Sequence, residues 1–315
     1  MEKAEGNCGI DEQLAQVYVL FEEGCFDKAR ALLDKAHAQD FENPEVLSAL
    51  RACGYWQQRA AELQSMENNA AAQGDYLQRQ WNRFEQSYRQ GFEHPLKEGS
   101  SRLKLWVHTR ALEYYTQYAE ESSDPRIMLQ SGRCLKKLGR FEESIQALER
   151  VLRETGQNNA ALLAELADCY SLIGETKAAK VLMREALFVD APAVETDELA
   201  SPLFNRLVER LGKVKDRSDA AFIYWLPVYG TLWGVLDVKR ELSPLEYGKL
   251  KQAIYALKSE IADGDKQGLL TPQLINSYFW LVDHYQLKGA DRSTVEEALL
   301  NIKLLSPSIY RQYFE

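Results

Sequence analysis

The sequence predicts an all-α protein built of antiparallel helix pairs, and three observations predict it. Gly139-Arg140-Phe141-Glu142-Glu143-Ser144 closes one helical pattern and opens the next, and 35 residues later Gly174-Glu175-Thr176-Lys177-Ala178-Ala179 does the same. Flanking positions repeat in that register: Gly132 maps onto Ala167, Cys134 onto Cys169, Leu135 onto Tyr170 and Leu148 onto Met183. The 315 residues include only 9 prolines and 18 glycines, and the alternation of half-buried strands is hard to find. A period of that length with helical periodicity inside it signals stacked repeats rather than a closed core.

Residues 1–73 read as N-terminal helix pairs. Ile10, Leu14, Val17, Tyr18 and Phe21 share one helical face, Gly24-Cys25-Phe26-Asp27 turns the chain, and Ala29, Leu32, Leu33 and Ala36 form the face of a second helix. Gly24 suits a turn that needs positive φ, and Ala29 and Ala36 allow a close helix approach. A second pair is expected over 44–73, starting after Asn43-Pro44 and turning near Gly54. Residues 74–124 form a longer, aromatic pair, with Trp81, Phe84 and Tyr88 before the polar gap His94 to Ser101, and Trp106, Leu112, Tyr115 and Tyr118 after it. These bulky helices are expected to pack the N-terminal half onto the centre.

Residues 125–194 hold the two clearest units. Asp124-Pro125 opens the first, with Met128, Ser131-Gly132 and Leu135, then Ser144 and Leu148. The second offers Leu163, Leu166-Ala167 and Tyr170, then Ala179, Met183, Ala186 and Pro192. Spaced in this way, large and small residues resemble the tetratricopeptide repeat (TPR) family. A repeat-like match recurs near the end with Tyr278, Leu281-Val282 and Tyr285, then Ala298, Ile302, Leu305 and Pro307. Its inter-helix loop, Leu287 to Thr294, reads as four residues longer, counted from Tyr285 to Ala298 against Tyr170 to Ala179. The resemblance implies a right-handed α-solenoid, a TPR-like superhelix with degenerate pairs and longer aromatic helices.

Residues 195–315 continue as a helical, TPR-like C-terminal region. One helix is expected from Glu198 to Val214. Another runs from Ser243 to Ala262, with Ser243 as N-cap, Pro244 first, Glu246 in capping-box position and a stripe of Leu250, Ile254, Leu257 and Ile261. Gly264 and Gly268 mark a loop before Pro272.

Between these helices, Ala220 to Leu236 contains no charged residue. At 17 residues it sits at the short limit for a membrane span, and Pro227, Gly230 and Gly234 interrupt it. A buried, kinked helix fits better. A third reading makes Tyr224, Trp225, Tyr229 and Trp233 an aromatic interface.

The net charge of −9 and pI near 5.2 oppose a polyanionic ligand, so no nucleic acid is expected. Five scattered cysteines at 8, 25, 53, 134 and 169 form no CxxC pair and read as small core residues in a reducing compartment. The start, Met1-Glu2-Lys3-Ala4-Glu5-Gly6-Asn7, lacks a signal-like apolar stretch, which makes the cytoplasm the expected location. Histidines 37, 94, 108 and 284 have no second ligand at metal spacing, and no phosphate loop, HExxH, GxSxG or dinucleotide fingerprint occurs. Neither enzyme activity, metal nor cofactor is expected.

In the family resembled, first helices line a concave groove that receives a peptide or helix. Carried to this chain, that face presents Arg126, Gln130, Arg133 and Lys137 on one helix and Glu165, Asp168 and Ser171 on the next. Some members grip a terminal carboxylate with Lys, Asn and Arg; the matching face here offers Leu129, Arg133, Glu165 and Asp168, so that pattern is absent. The implied function is a non-catalytic scaffold for another protein. The alternative is a structural subunit or homo-oligomer, including one at a membrane, that assembles through its aromatic faces.

Overall fold

A computed structural model describes residues 2–66, 69–91, 96–121, 124–155, 159–262, 264 and 267–314. Fifteen α-helices and no strand occur among them. The chain forms two compact units, Met1–Ala147 and Leu148–Glu315. Their boundary falls inside one helix of the 125–194 segment, not at an end of any of the four segments suggested by the sequence.

The N-terminal unit opens with the predicted pair, α1 (Glu2–Glu23) and α2 (Phe26–Gln39). Gly24 turns between them at φ 72°, and Ala29 and Ala36 are buried at the contact. No turn occurs at Gly54. α3 (Pro44–Ser65) runs straight through it, started by Pro44 and by Asn43, whose side chain accepts from the N–H groups of Glu45 and Val46. The stripe Ala49, Ala52, Cys53 and Trp56 is fully buried, and that burial outweighs the roughly 1 kcal/mol cost of a helical glycine.

α4 (Ala70–Gly91) and α5 (Lys97–Glu121) form the long aromatic pair. α5 also lies on α1 and on α6 (Pro125–Lys137), so the packing here is not restricted to sequence neighbours. Trp81 and Trp106 both pack on Trp56, with ring centroids 6.1 and 5.7 Å away. Close approach needs glycine at several points here: a Cβ on Gly24 would lie 2.2 Å from the Trp106 indole, one on Gly74 2.5 Å from Tyr115 and one on Gly99 2.6 Å from Leu96. His108 is fully buried on α5 with Nδ1 3.0 Å from the Gln78 amide, and burial holds its pKa well below the ordinary value. The side chain of Tyr88 and residues 92–95, including His94, lie outside the described residues.

α7 (Phe141–Thr155) begins in this unit and ends in the next. The C-terminal unit continues with α8 (Ala160–Leu172), α9 (Thr176–Asp190), 3-10 turns at Ala191–Ala193 and Thr196–Glu198, and α10 (Pro202–Leu211). Then come α11 (Phe222–Leu232), α12 (Pro244–Ala262), α13 (Gln267–Lys288), α14 (Arg292–Leu305) and α15 (Pro307–Phe314). α13 is the centre of the unit's last half: it packs on α11, α12 and α14, and residues 274–284 are all buried. The charge-free stretch forms the short α11, kinkable at Pro227, with Phe222, Leu226 and Val228 buried. No helix among the described residues is long and apolar enough to cross a membrane.

Among the described residues one glycine turn links paired helices at four places, and it closes α11 at Gly234 as well. The N–H one residue past the glycine reaches back to the carbonyl five residues earlier: Cys25 to Leu20, Arg140 to Leu135, Glu175 to Tyr170 and Ala290 to Tyr285. Gly24, Gly139, Gly174 and Gly289 all have φ between 64° and 88°, the Schellman geometry that closes a helix on glycine. The following helix carries a small buried residue at the first crossing in three of them: Ala29, Ser144 and Ala179. Ser144 also donates its hydroxyl to the Gly132 carbonyl at 2.8 Å. In the last copy the connector is not longer. α13 ends at Lys288 and α14 begins at Arg292, the same three-residue link as between α8 and α9. Ala298 sits about one turn further along its helix, which created the apparent insertion.

The capping box at α12 is present: the Ser243 N–H donates to Glu246 at 2.7 Å and the Glu246 N–H to Ser243 Oγ at 3.3 Å. Gly268 and Pro272 do not delimit a loop, because α13 starts at Gln267 and includes both. Pro272 falls in the second turn, where it removes one backbone bond, and the buried run that follows compensates. The helix expected over Glu198 to Val214 is shorter, Pro202–Leu211, preceded by the 3-10 turn.

Candidate functional site

The residues expected on the first-helix faces divide by burial. On α6, Arg126 is exposed and paired with Asp124 at 2.8 Å, Gln130 and Lys137 are half-buried, and Arg133 is only 6% exposed. On α8, Ser171 is half-buried, while Glu165 and Asp168 are 3% and 0% exposed. Three of the seven therefore do not face solvent. Asp168 turns inward because α10 begins beside it without a side-chain cap of its own: the Ala200 and Ser201 N–H groups donate to its two oxygens at 2.8 and 2.9 Å. Its role there is to hold backbone.

The four aromatic residues of α11 and its end are half-buried rather than an open patch. Trp225 packs on Tyr229 and Tyr229 on Trp233, with centroids 5.9 and 4.9 Å apart. Each tryptophan is covered by a cation, one at the end of α10 and one just beyond it. The Lys215 ammonium lies 4.0 Å from the Trp225 centroid and the Arg210 guanidinium 4.0 Å from that of Trp233. Burial raises the Tyr229 pKa. Tyr224 faces elsewhere, into a cleft.

That cleft has a volume of about 380 Å³ and lies between the end of α9, α11, α12 and α13. Leu187, Ala191, Pro227, Leu250 and Leu257 give it apolar walls. Asn276 and Ser277 bring polar atoms to it, and both residues are more than nine-tenths buried. The Ser277 hydroxyl donates to the Gln273 carbonyl at 2.8 Å. The Asn276 carboxamide makes no hydrogen bond to another described residue. Pro192 has no N–H to return to the Phe188 carbonyl, so a backbone acceptor at the α9 end lacks its usual i+4 donor. Helical periodicity gives no sign of Asn276 as a site residue. Its signal is a polar side chain inside the apolar run Leu274-Ile275-Asn276-Ser277-Tyr278-Phe279-Trp280.

One side of the cleft is fixed by charge. Residues 237–243 run without regular structure from α11 to α12, pinned to α9 and α13. Arg184 donates to the Val238 carbonyl at 2.7 Å and pairs with Asp283, and both side chains are buried. Arg240 forms two-oxygen pairs with Glu185 and with Glu246, which is drawn down to about pKa 2 chiefly by that guanidinium. Both guanidiniums lie over Trp280, at 4.6 and 5.3 Å from its centroid. His284 accepts the Leu242 N–H at Nδ1, and desolvation lowers its pKa, so its neutral form is the one that fits. These groups are engaged with one another; they position α12 against α13.

Among the described residues no group of three or more His, Cys, Asp or Glu side chains is placed to hold a metal ion. The fold defines an all-α protein of helical-repeat character. Comparison with known proteins returns no matching family model and no matching curated relative.

Proposed function

We propose that this chain is a non-catalytic scaffold that binds a peptide or helix of another protein, on a right-handed solenoid of TPR-like helix pairs. The observation that carries the reading is the turn built four times on Gly24, Gly139, Gly174 and Gly289 with the same backward hydrogen bond. Helix pairs that close on the same turn are the units from which a stacked array is made, and such arrays leave extended faces of side chains not needed for the core. Gln130 on α6 and Ser171 on α8 reach such faces.

Assembly through aromatic faces is the weaker reading, since Trp225 and Trp233 are already covered by Lys215 and Arg210. The test is photo-crosslinking in the native cell with a benzophenone amino acid at Gln130, at Ser171 and at the exposed Tyr255 as control. A discrete partner captured from 130 and 171 but not from 255 is expected. Crosslinks only to copies of the same chain, with a concentration-dependent mass in light scattering, would overturn the scaffold reading in favour of assembly.

A further inference from the structure

We infer that the cleft between the end of α9, α11, α12 and α13 binds an extended peptide segment, reading its main chain through Asn276 and one apolar side chain through the hollow beside it. This deepens the scaffold reading and rests on it, but it uses no residue of the α6 or α8 faces, so the two can fail separately.

Asn276 carries the argument. It is 8% exposed, set in a stretch of α13 whose neighbours are core, yet its carboxamide has no partner among the described residues and borders the cleft. Its carboxamide atoms are not sealed from solvent, so they open onto the cleft, where a ligand's polar groups can replace water. The carboxamide offers a donor and an acceptor side by side, the complement of a peptide group's own carbonyl and N–H. Phe188 lines the same cleft, and Pro192 four residues on offers its carbonyl no N–H.

The surroundings select the rest of the ligand. Leu187, Pro227 and Leu250 make a hydrophobic hollow, and 380 Å³ corresponds to roughly a dozen waters at ~30 Å³ each, room for a branched side chain and a short run of backbone. Asp190 and Lys249 at the cleft are exposed and opposite in sign, which suits a near-neutral peptide and disfavours a polyanion.

The experiment selects a phage-displayed random dodecapeptide library on the full chain and measures the enriched synthetic peptides by fluorescence anisotropy. Parent, Asn276→Leu and Ala253→Trp are compared, together with their melting curves. Ala253 borders the cleft from an exposed position on α12, so tryptophan there obstructs the cleft without entering the core. Expected are peptides sharing a Leu, Ile, Val or Met, weakened roughly tenfold or more by either substitution. Peptides that bind both variants like the parent would overturn this site while leaving the scaffold reading on another face. Failure to enrich any peptide would overturn this site, and the scaffold reading would then stand or fall on the crosslinking at Gln130 and Ser171. If 3-methylbutan-1-ol displaced the peptides and bound Asn276→Leu as well as the parent, the cleft would be an apolar small-molecule site and main-chain reading would be wrong.

Discussion

Arg184 on α9 and Asp283 on α13, 99 residues apart, form an ion pair with side chains only 3% and 5% exposed. Lys239 adds a second cation to Asp283 at 3.3 Å. Asp283→Ala leaves the Arg184 guanidinium buried without its carboxylate and is expected to cost about 3–5 kcal/mol in urea unfolding. The double variant Arg184→Met, Asp283→Leu should recover much of that loss, because replacing both partners removes the uncompensated charge.

Asp168 holds the start of α10 through two backbone N–H groups from a fully buried position. Asp168→Ala is therefore expected to destabilise by at least about 1–3 kcal/mol. Loss of partner binding in this variant would report unfolding at α10 unless its melting curve matched the parent's.

Ala179 is fully buried at the crossing of α8 and α9. Ala179→Trp should cost at least ~1–3 kcal/mol by overpacking, read as a lowered melting temperature. At the corresponding Ser144, alanine removes the hydrogen bond to the Gly132 carbonyl and should cost at least about 0.5–1.5 kcal/mol.

The turn glycines separate strain from clash. Gly139 has φ 78° with nothing within 4 Å of an added Cβ, so Gly139→Ala should cost only the left-handed backbone penalty, about 1–2 kcal/mol. Gly24→Ala adds a collision 2.2 Å from Trp106 and should be the more damaging of the two in the same denaturant titration.

Glu246 has its pKa lowered from 4.5 to about 2 by Arg240 and the Ser243 cap. A carboxyl with a depressed folded-state pKa stabilises fully above its unfolded value, and that contribution disappears as pH falls from about 4.5 toward 2. Glu246→Gln should accordingly be less stable than the parent at pH 6, with the gap closing by pH 2.5; a gap independent of pH would contradict the pairing.

Local chemistry made much of this legible in advance. Glycine after an apolar face announced the turns at 24, 139 and 174, and Ser243, Pro244 and Glu246 announced α12, because these signals act within a few residues. What the sequence concealed depends on residues far apart in the chain. Gly54 resembles a turn until the stripe Ala49 to Trp56 is seen buried, and Pro272 resembles a boundary until α13 is seen enclosed by α11, α12 and α14. Arg133, Glu165 and Asp168 read as a wet helix face by periodicity, but tertiary packing decides which charges are enclosed. Asn276 was hidden for the same reason: its meaning comes from α9 and α12, not from its neighbours on α13.

The central position of α13 has a consequence for synthesis. Leu250 and Ile254 of α12, Val228 of α11 and the guanidinium of Arg184 all find their cover on a helix that begins at Gln267. A nascent chain emerging from its N-terminus must hold these groups unsheltered until the residues of α13, through Lys288, have been made. Truncations that stop short of Lys288 would leave them permanently bare, so a stalled or prematurely terminated product of this half should be recognised by chaperones and proteases rather than persist as a folded fragment.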